Sequence, residues 1–212
     1  MPHAHVYDAI VLRTIDVGEA DRFCVLFTRE LGKVSVRAAA ARKPKSALGA
    51  AMLPLRHIRV MLKEWHSGYI VQGAESLPDV GMSHANIAWF SDAQQGIELL
   101  MRLTEDGEPM PEVFHAVLQF LTVCGDPDIP MPLAFSIRLL ELLGLLPDRS
   151  HVHDVYGFEP ADDAFLQMAR AGQFGNLEPP AKSVRIQRFI DSLCSDHLLS
   201  PLKAPGVAAS LG

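Results

Sequence analysis

Arg22-Phe23-Cys24-Val25-Leu26-Phe27-Thr28, then Glu30-Leu31-Gly32-Lys33, then Val34-Ser35-Val36-Arg37-Ala38, is the stretch that decides the fold. Two β-rich runs flank a short connection whose glycine can take positive φ, which predicts a hairpin. Upstream, Ala9-Ile10-Val11-Leu12-Arg13-Thr14 reads as a first strand, ended by the polar Asp16-Val17-Gly18-Glu19-Ala20-Asp21. Downstream, Arg42-Lys43-Pro44-Lys45-Ser46 cannot continue a strand, because Pro44 lacks an amide donor and the charges repel, so an exposed loop is expected. Leu55 to Lys63 alternates imperfectly, His66-Ser67-Gly68 reads as a turn, and Tyr69 to Ala74 supplies a fifth strand. Five short antiparallel strands in so small a span predict a barrel, because closure removes sheet edges that would otherwise aggregate.

After Pro78 the apolar period changes from two to about 3.6. Ile87, Phe90, Ala93, Ile97, Leu100 and Met101 predict one buried helical face, with Ser83 as the N-cap. Glu105-Asp106-Gly107-Glu108-Pro109 breaks that helix, and a second apolar run from Val113 to Leu121 ends at Gly125-Asp126-Pro127. A third, Pro132 to Leu143, ends at Gly144, a C-cap residue. Weaker helices are expected near Asp163 to Ala171 and Ser183 to Ser195, with a frayed tail from Pro201. The expected class is therefore α+β: a five-stranded β-barrel over residues 1–78 and an all-helical domain over 79–212.

The 212 residues are 49% hydrophobic, enough to bury a core and to exclude a disordered chain. The longest stretch free of formal charge, Val113 to Gly125, falls well short of the roughly 20 apolar residues of a membrane-spanning helix. Met1-Pro2-His3-Ala4-His5 lacks the basic and apolar segments of a secretory signal, and Cys24, Cys124 and Cys194 form no paired framework. A cytoplasmic protein is expected. The net charge of −6 hides an asymmetry. Residues 1–78 carry 11 Lys/Arg against 7 Asp/Glu, whereas the remainder carries 8 against 18. From Arg29 to Lys63 there are nine bases, and Glu30 is the sole acid. A cluster so one-sided fits either a solvated basic face or a surface for a polyanion.

The phosphate loop G-x-x-x-x-G-K-[ST], the dinucleotide turn G-x-G-x-x-G and the hydrolase signatures H-E-x-x-H and G-x-S-x-G are all missing. No catalytic residue and no enzymatic activity are expected. His151-Val152-His153-Asp154 puts two imidazoles beside a carboxylate, but a stable zinc site wants three or four ligands, usually with thiolates, and a solvated loop is the simpler reading. Asp126-x-Asp128 and Asp162-Asp163 lie at helix boundaries, where acids cap exposed amides. For a polynucleotide, Arg37, Arg56, Arg59 and Lys63 would reach out from strands, and Arg42, Lys43 and Lys45 from the loop. Arg56 and Arg59 have opposite strand parity and so would face apart unless a bulge intervenes. Trp65, His66 and Tyr69 stand beside the last base, either to stack nucleobases or to fill the barrel.

Taken in order, Ala9 to Arg13, Gly18-Glu19-Ala20-Asp21, Leu26 to Lys33, and Ala41-Arg42-Lys43-Pro44-Lys45-Ser46 resemble the amino-terminal domain of the bacterial recombination mediator family RecO. Phe135 to Pro147 is similar to that family's helix-then-Leu-Gly segment. The resemblance implies an OB-fold barrel joined to a helical domain. It also implies binding of single- and double-stranded DNA, annealing of complementary strands, and loading of RecA at gaps together with RecR and single-stranded-DNA-binding protein. The implied cellular setting is the cytoplasm, in association with the nucleoid. The basic-loop match falls on Arg42, Lys43 and Lys45, and the hairpin match on Arg29 and Lys33. Many members carry a four-cysteine zinc module after the Leu-Gly segment. Here Leu146 to Gly157 holds no cysteine, so no metal or other cofactor is expected. A reading of a different class is a protein-interaction adaptor, engaging an acidic peptide such as the tail of single-stranded-DNA-binding protein, with Arg102 and Arg138 among the few helical-half bases.

Overall fold

The computed structural model describes residues 4–65, 68–78, 86–147, 157–181 and 183–197. Five strands, β1 (His5–Val17), β2 (Asp21–Thr28), β3 (Gly32–Ala38), β4 (His57–Trp65) and β5 (Gly68–Ser76), close a barrel in the order β1-β2-β3-β5-β4. The chain divides into two compact units, residues 1–80 with 104–114 and residues 81–103 with 115–212.

Alternation fills the barrel: Cys24 and Leu26 from β2, Val34, Val36 and Ala38 from β3, and Ile58, Val60 and Leu62 from β4 point inward and are buried. The expectation of purely antiparallel strands fails at one seam, where β3 and β5 pair in parallel through Val36 with Tyr69 and Arg37 with Ile70. An odd number of strands cannot close with every neighbour reversed, so one parallel pair is a geometric necessity. β1 carries a bulge between Val11 and Arg13, which turns Arg13 outward and resets the face presented by the far end of the strand.

A short helix, α1 (Ala47–Ala51), bridges β3 and β4, and Ala51 and Met52 close the barrel core. Sequence periodicity misses it because five residues are too few to define a face. Arg56, expected on a strand, lies in the turn just before β4. The acidic segment that ends the first long helix also serves the barrel unit, where Gly107 N–H donates to Lys33 O at 2.8 Å; just beyond that segment, Phe114 stacks on Phe27 with centroids 6.3 Å apart.

The second unit is built on α2 (Ile87–Leu103), α3 (Pro111–Val123), α4 (Met131–Leu142), α5 (Pro160–Arg170) and α6 (Ser183–His197), with a 3-10 turn at Phe174–Asn176. The first turn of α3 belongs to the barrel unit. The start of α2 corrects the expected face. Ile87 is 86% exposed and Phe90 45% exposed, whereas Trp89 is buried and donates its indole N–H to Leu121 O at 2.9 Å. Asn86 Oδ1 accepts the Trp89 N–H at 2.8 Å and closes the helix start, and Ser83, the expected cap, lies outside the described residues. Gly96 leaves the room in which Phe120 and Phe135 stack at 4.5 Å. The acids expected at helix boundaries do local backbone work: Asp128 N–H donates to Asp126 Oδ1, and Asp162 with Glu159 forms a capping box at α5. Among the described residues no helix is long and apolar enough to cross a membrane.

Candidate nucleic-acid interface

Two carboxylates shape the basic loop between β3 and α1. Asp21, at the start of β2, accepts Ala40 N–H on Oδ1 at 2.9 Å, and the Nε and Nη2 of Arg37 on Oδ2 at 3.0 and 2.5 Å. The first of these bonds holds Ala40 at φ 55, a left-handed conformation that alanine alone disfavours. Asp16 takes Arg22 Nε at 2.9 Å and Arg42 Nε at 3.2 Å, and Arg42 Nη1 donates to Gly18 O at 2.7 Å. The β1–β2 turn and the basic loop are thereby tied together. Backbone donation from Ala40, then Arg37, keeps the Asp21 carboxyl below the usual carboxylate range; Arg22 does the same for Asp16.

These ties sort the expected contacts. Lys33 is turned inward: its Nζ donates to Thr104 O at 2.6 Å and lies 3.3 Å from Asp106 Oδ1, with the side chain only 12% exposed. Arg37 and Arg42 are partly exposed but held by Asp21 and Asp16. Arg59 pairs across the sheet with Glu75 at 3.1 Å, and Arg56 is half-buried. Arg29, Lys43, Lys45 and Lys63 present exposed side chains. Trp65, at the end of β4, is 45% exposed, with the Arg37 guanidinium 5.8 Å from its ring centroid. Tyr69 is half-buried against the barrel core. His66 lies outside the described residues.

The structure adds residues outside the basic stretch from Arg29 to Lys63. Arg13 is exposed beside the β1 bulge, and Phe23 on β2 is 43% exposed, directly opposite Arg37. Strand parity was the available signal for Phe23, since its neighbour Cys24 and next-but-one neighbour Val25 alternate inward and outward. Asp16 and Asp21 were legible only as turn residues.

The three cysteines are buried, and burial pushes their thiols up to about 11, 12 and 11 for Cys24, Cys124 and Cys194. Among the described residues no group of three or more His, Cys, Asp or Glu could hold a metal ion. His151, His153 and Asp154 lie outside the described residues. In the helical unit, Arg138 Nη1 donates to Arg170 O, and Arg102 lies 3.7 Å from Glu98.

A closed five-stranded barrel with this strand order, carrying bases on its loops, is of the oligonucleotide- and oligosaccharide-binding (OB) class. Residues 1–77 match the family model described as Recombination protein O N terminal, and residues 90–157 match Recombination protein O C terminal. The chain is 33% identical over 206 residues to the DNA repair protein RecO of Heliobacterium modesticaldum, covering 96% of this chain and 70% of that protein. It is 33% identical over 143 residues to its namesake in Myxococcus xanthus, covering 66% and 59%, and 29% identical over 168 residues to that of Bacillus subtilis, covering 75% and 66%. The chain belongs to the RecO family of bacterial DNA repair and recombination proteins. It spans 59% of the length of the Myxococcus relative. Neither family description names an enzymatic activity.

Proposed function

We propose that this protein is a DNA-binding recombination mediator, which anneals complementary strands and, with RecR and single-stranded-DNA-binding protein, helps load RecA at gaps. The observation that carries the reading is the buttressed basic loop: Asp16 and Asp21 fix its shape, while Lys43 and Lys45 stay exposed. Phosphates would be met first by these lysines, joined by Arg29, Arg13 and Lys63, with the carboxylate-paired Arg37, Arg42 and Arg59 and the half-buried Arg56 contributing less. Lys33 serves the fold in this account. Annealing follows physically: cations that screen two mutually repelling strands at once let them pair, and no bond-making residue is required. RecR and the acidic tail of single-stranded-DNA-binding protein enter from the family resemblance, and the partners of Arg102 and Arg138 within the helical unit give the adaptor reading no added support.

The test is the rate at which two complementary oligonucleotides pair. The intact protein is expected to accelerate pairing, and a K43A/K45A variant, which leaves the Arg42 and Asp21 anchors in place, to lose most of that acceleration. Equal acceleration by both proteins would contradict the assignment to this loop.

A further inference from the structure

The outer face of the barrel differs between its two ends. At one end Ile10 and Phe27 face each other across β1 and β2, and both are completely buried, with Phe27 stacked on Phe114. At the other end the same face continues as Ile15 opposite Phe23, and Phe23 opposite Arg37, yet Ile15 is 50% and Phe23 43% exposed. Arg37 then reaches Trp65, itself 45% exposed. One guanidinium thus lies between two exposed aromatic residues, one its cross-strand neighbour and the other within cation–π range.

The charge of this patch is mostly spent internally. Asp21 takes two donors from Arg37, so the patch offers planar, polarisable surface more than free positive charge. Such a surface is poorly suited to phosphates and well suited to the faces of unpaired nucleobases, which stack on aromatic rings and guanidinium planes whatever their sequence. Exposed cations lie along its margins, with Arg13 next but one to Ile15 on β1 and Lys63 next but one to Trp65 on β4. They are positioned to hold the backbone of a strand whose bases lie inward. Strands β2 and β3 also form the surface that OB barrels present to oligonucleotides.

We propose that Phe23, Arg37 and Trp65 form a base-stacking subsite for unpaired nucleotides, making this face selective for single strands while the Lys43–Lys45 loop holds phosphates of either form. The inference rests on the DNA-binding reading above, and the two separate experimentally. The 212-residue chain is titrated with a fluorescent single-stranded oligonucleotide, an abasic strand of the same length and charge, and a duplex. Wild type is expected to bind the base-bearing strand about tenfold more tightly than the abasic strand. Phe23→Ala and Trp65→Ala, both at exposed positions, are expected to remove most of that difference and to leave duplex affinity and salt slope unchanged. Equal wild-type affinity for base-bearing and abasic strands would overturn the subsite and spare the phosphate reading. So would unchanged discrimination in both variants, the result expected if the patch instead receives a peptide. Absence of binding to all three probes at low salt would overturn both.

Discussion

Asp92 shows how one residue can serve packing at an electrostatic cost. Its carboxylate accepts Gly125 N–H at 2.8 Å, fixing a turn whose glycine sits at φ +90 with no room for a β-carbon against the Trp89 backbone. Burial raises the Asp92 carboxyl above its usual value, and the Gly125 bond offsets only part of that rise. A raised acid is penalised when ionised, so its cost is absent below the ordinary carboxylate range, grows as pH rises through it, and persists at neutrality. Asp92→Asn keeps the acceptor and discards the charge. The variant is expected to be at least as stable as the parent in urea at pH 7, with the advantage vanishing near pH 3; a loss of stability at pH 7 would show that the charge itself is needed.

Among the elements, the hairpin and its neighbouring turn make contrasting demands on glycine. Gly32 has φ +68, and a side chain there would strike the Glu108 backbone, whereas Gly18 has φ +60 and open space around it. Gly32→Ala therefore adds a steric clash to conformational strain and is expected to cost about 2–4 kcal/mol, against about 1 kcal/mol for Gly18→Ala. Urea unfolding of the pair checks the difference, and equal costs would refute the close approach. The basic loop depends likewise on Asp21. Because its carboxyl lies below the usual range, the anchor is in full force above that range and is lost as pH falls through the lowered value. Asp21→Ala is expected to speed tryptic cleavage after Arg42 and Lys45 at neutral pH, although it removes no base; unchanged cleavage would mean the loop holds its shape unaided.

At the scale of the whole molecule, strands were more legible than their environment. The apolar, β-prone run Arg22 to Thr28 and the alternation in Val34 to Ala38, with Gly32 between them, suffice to predict the hairpin, and closure is the arrangement that leaves so few short strands without open edges. The parallel β3–β5 seam follows from the odd number of strands, but only once closure is assumed. Helix α1 was hidden by its length, and the true face of α2 by Ile87 and Phe90, which continue an apolar stripe in sequence but are exposed at the first turn. The inward turn of Lys33 was not legible at all, because its partners Thr104 and Asp106 are far away in sequence. In the same way, charge alone located the basic stretch but could not separate Lys43 and Lys45 from bases already neutralised by Asp16 and Asp21.

The division of labour between the exposed Lys43 and Lys45 and the carboxylate-paired Arg37 and Arg42 is decided by the salt dependence of single-stranded DNA binding. The 212-residue chain and its K43A/K45A variant would be titrated with a fluorescent oligonucleotide at several salt concentrations. Each phosphate contact contributes about 0.7 to the slope of log affinity against log salt on a single strand. The variant is expected to bind more weakly, with a slope shallower by about 1.4. An unchanged slope would place the phosphate contacts elsewhere and contradict the account.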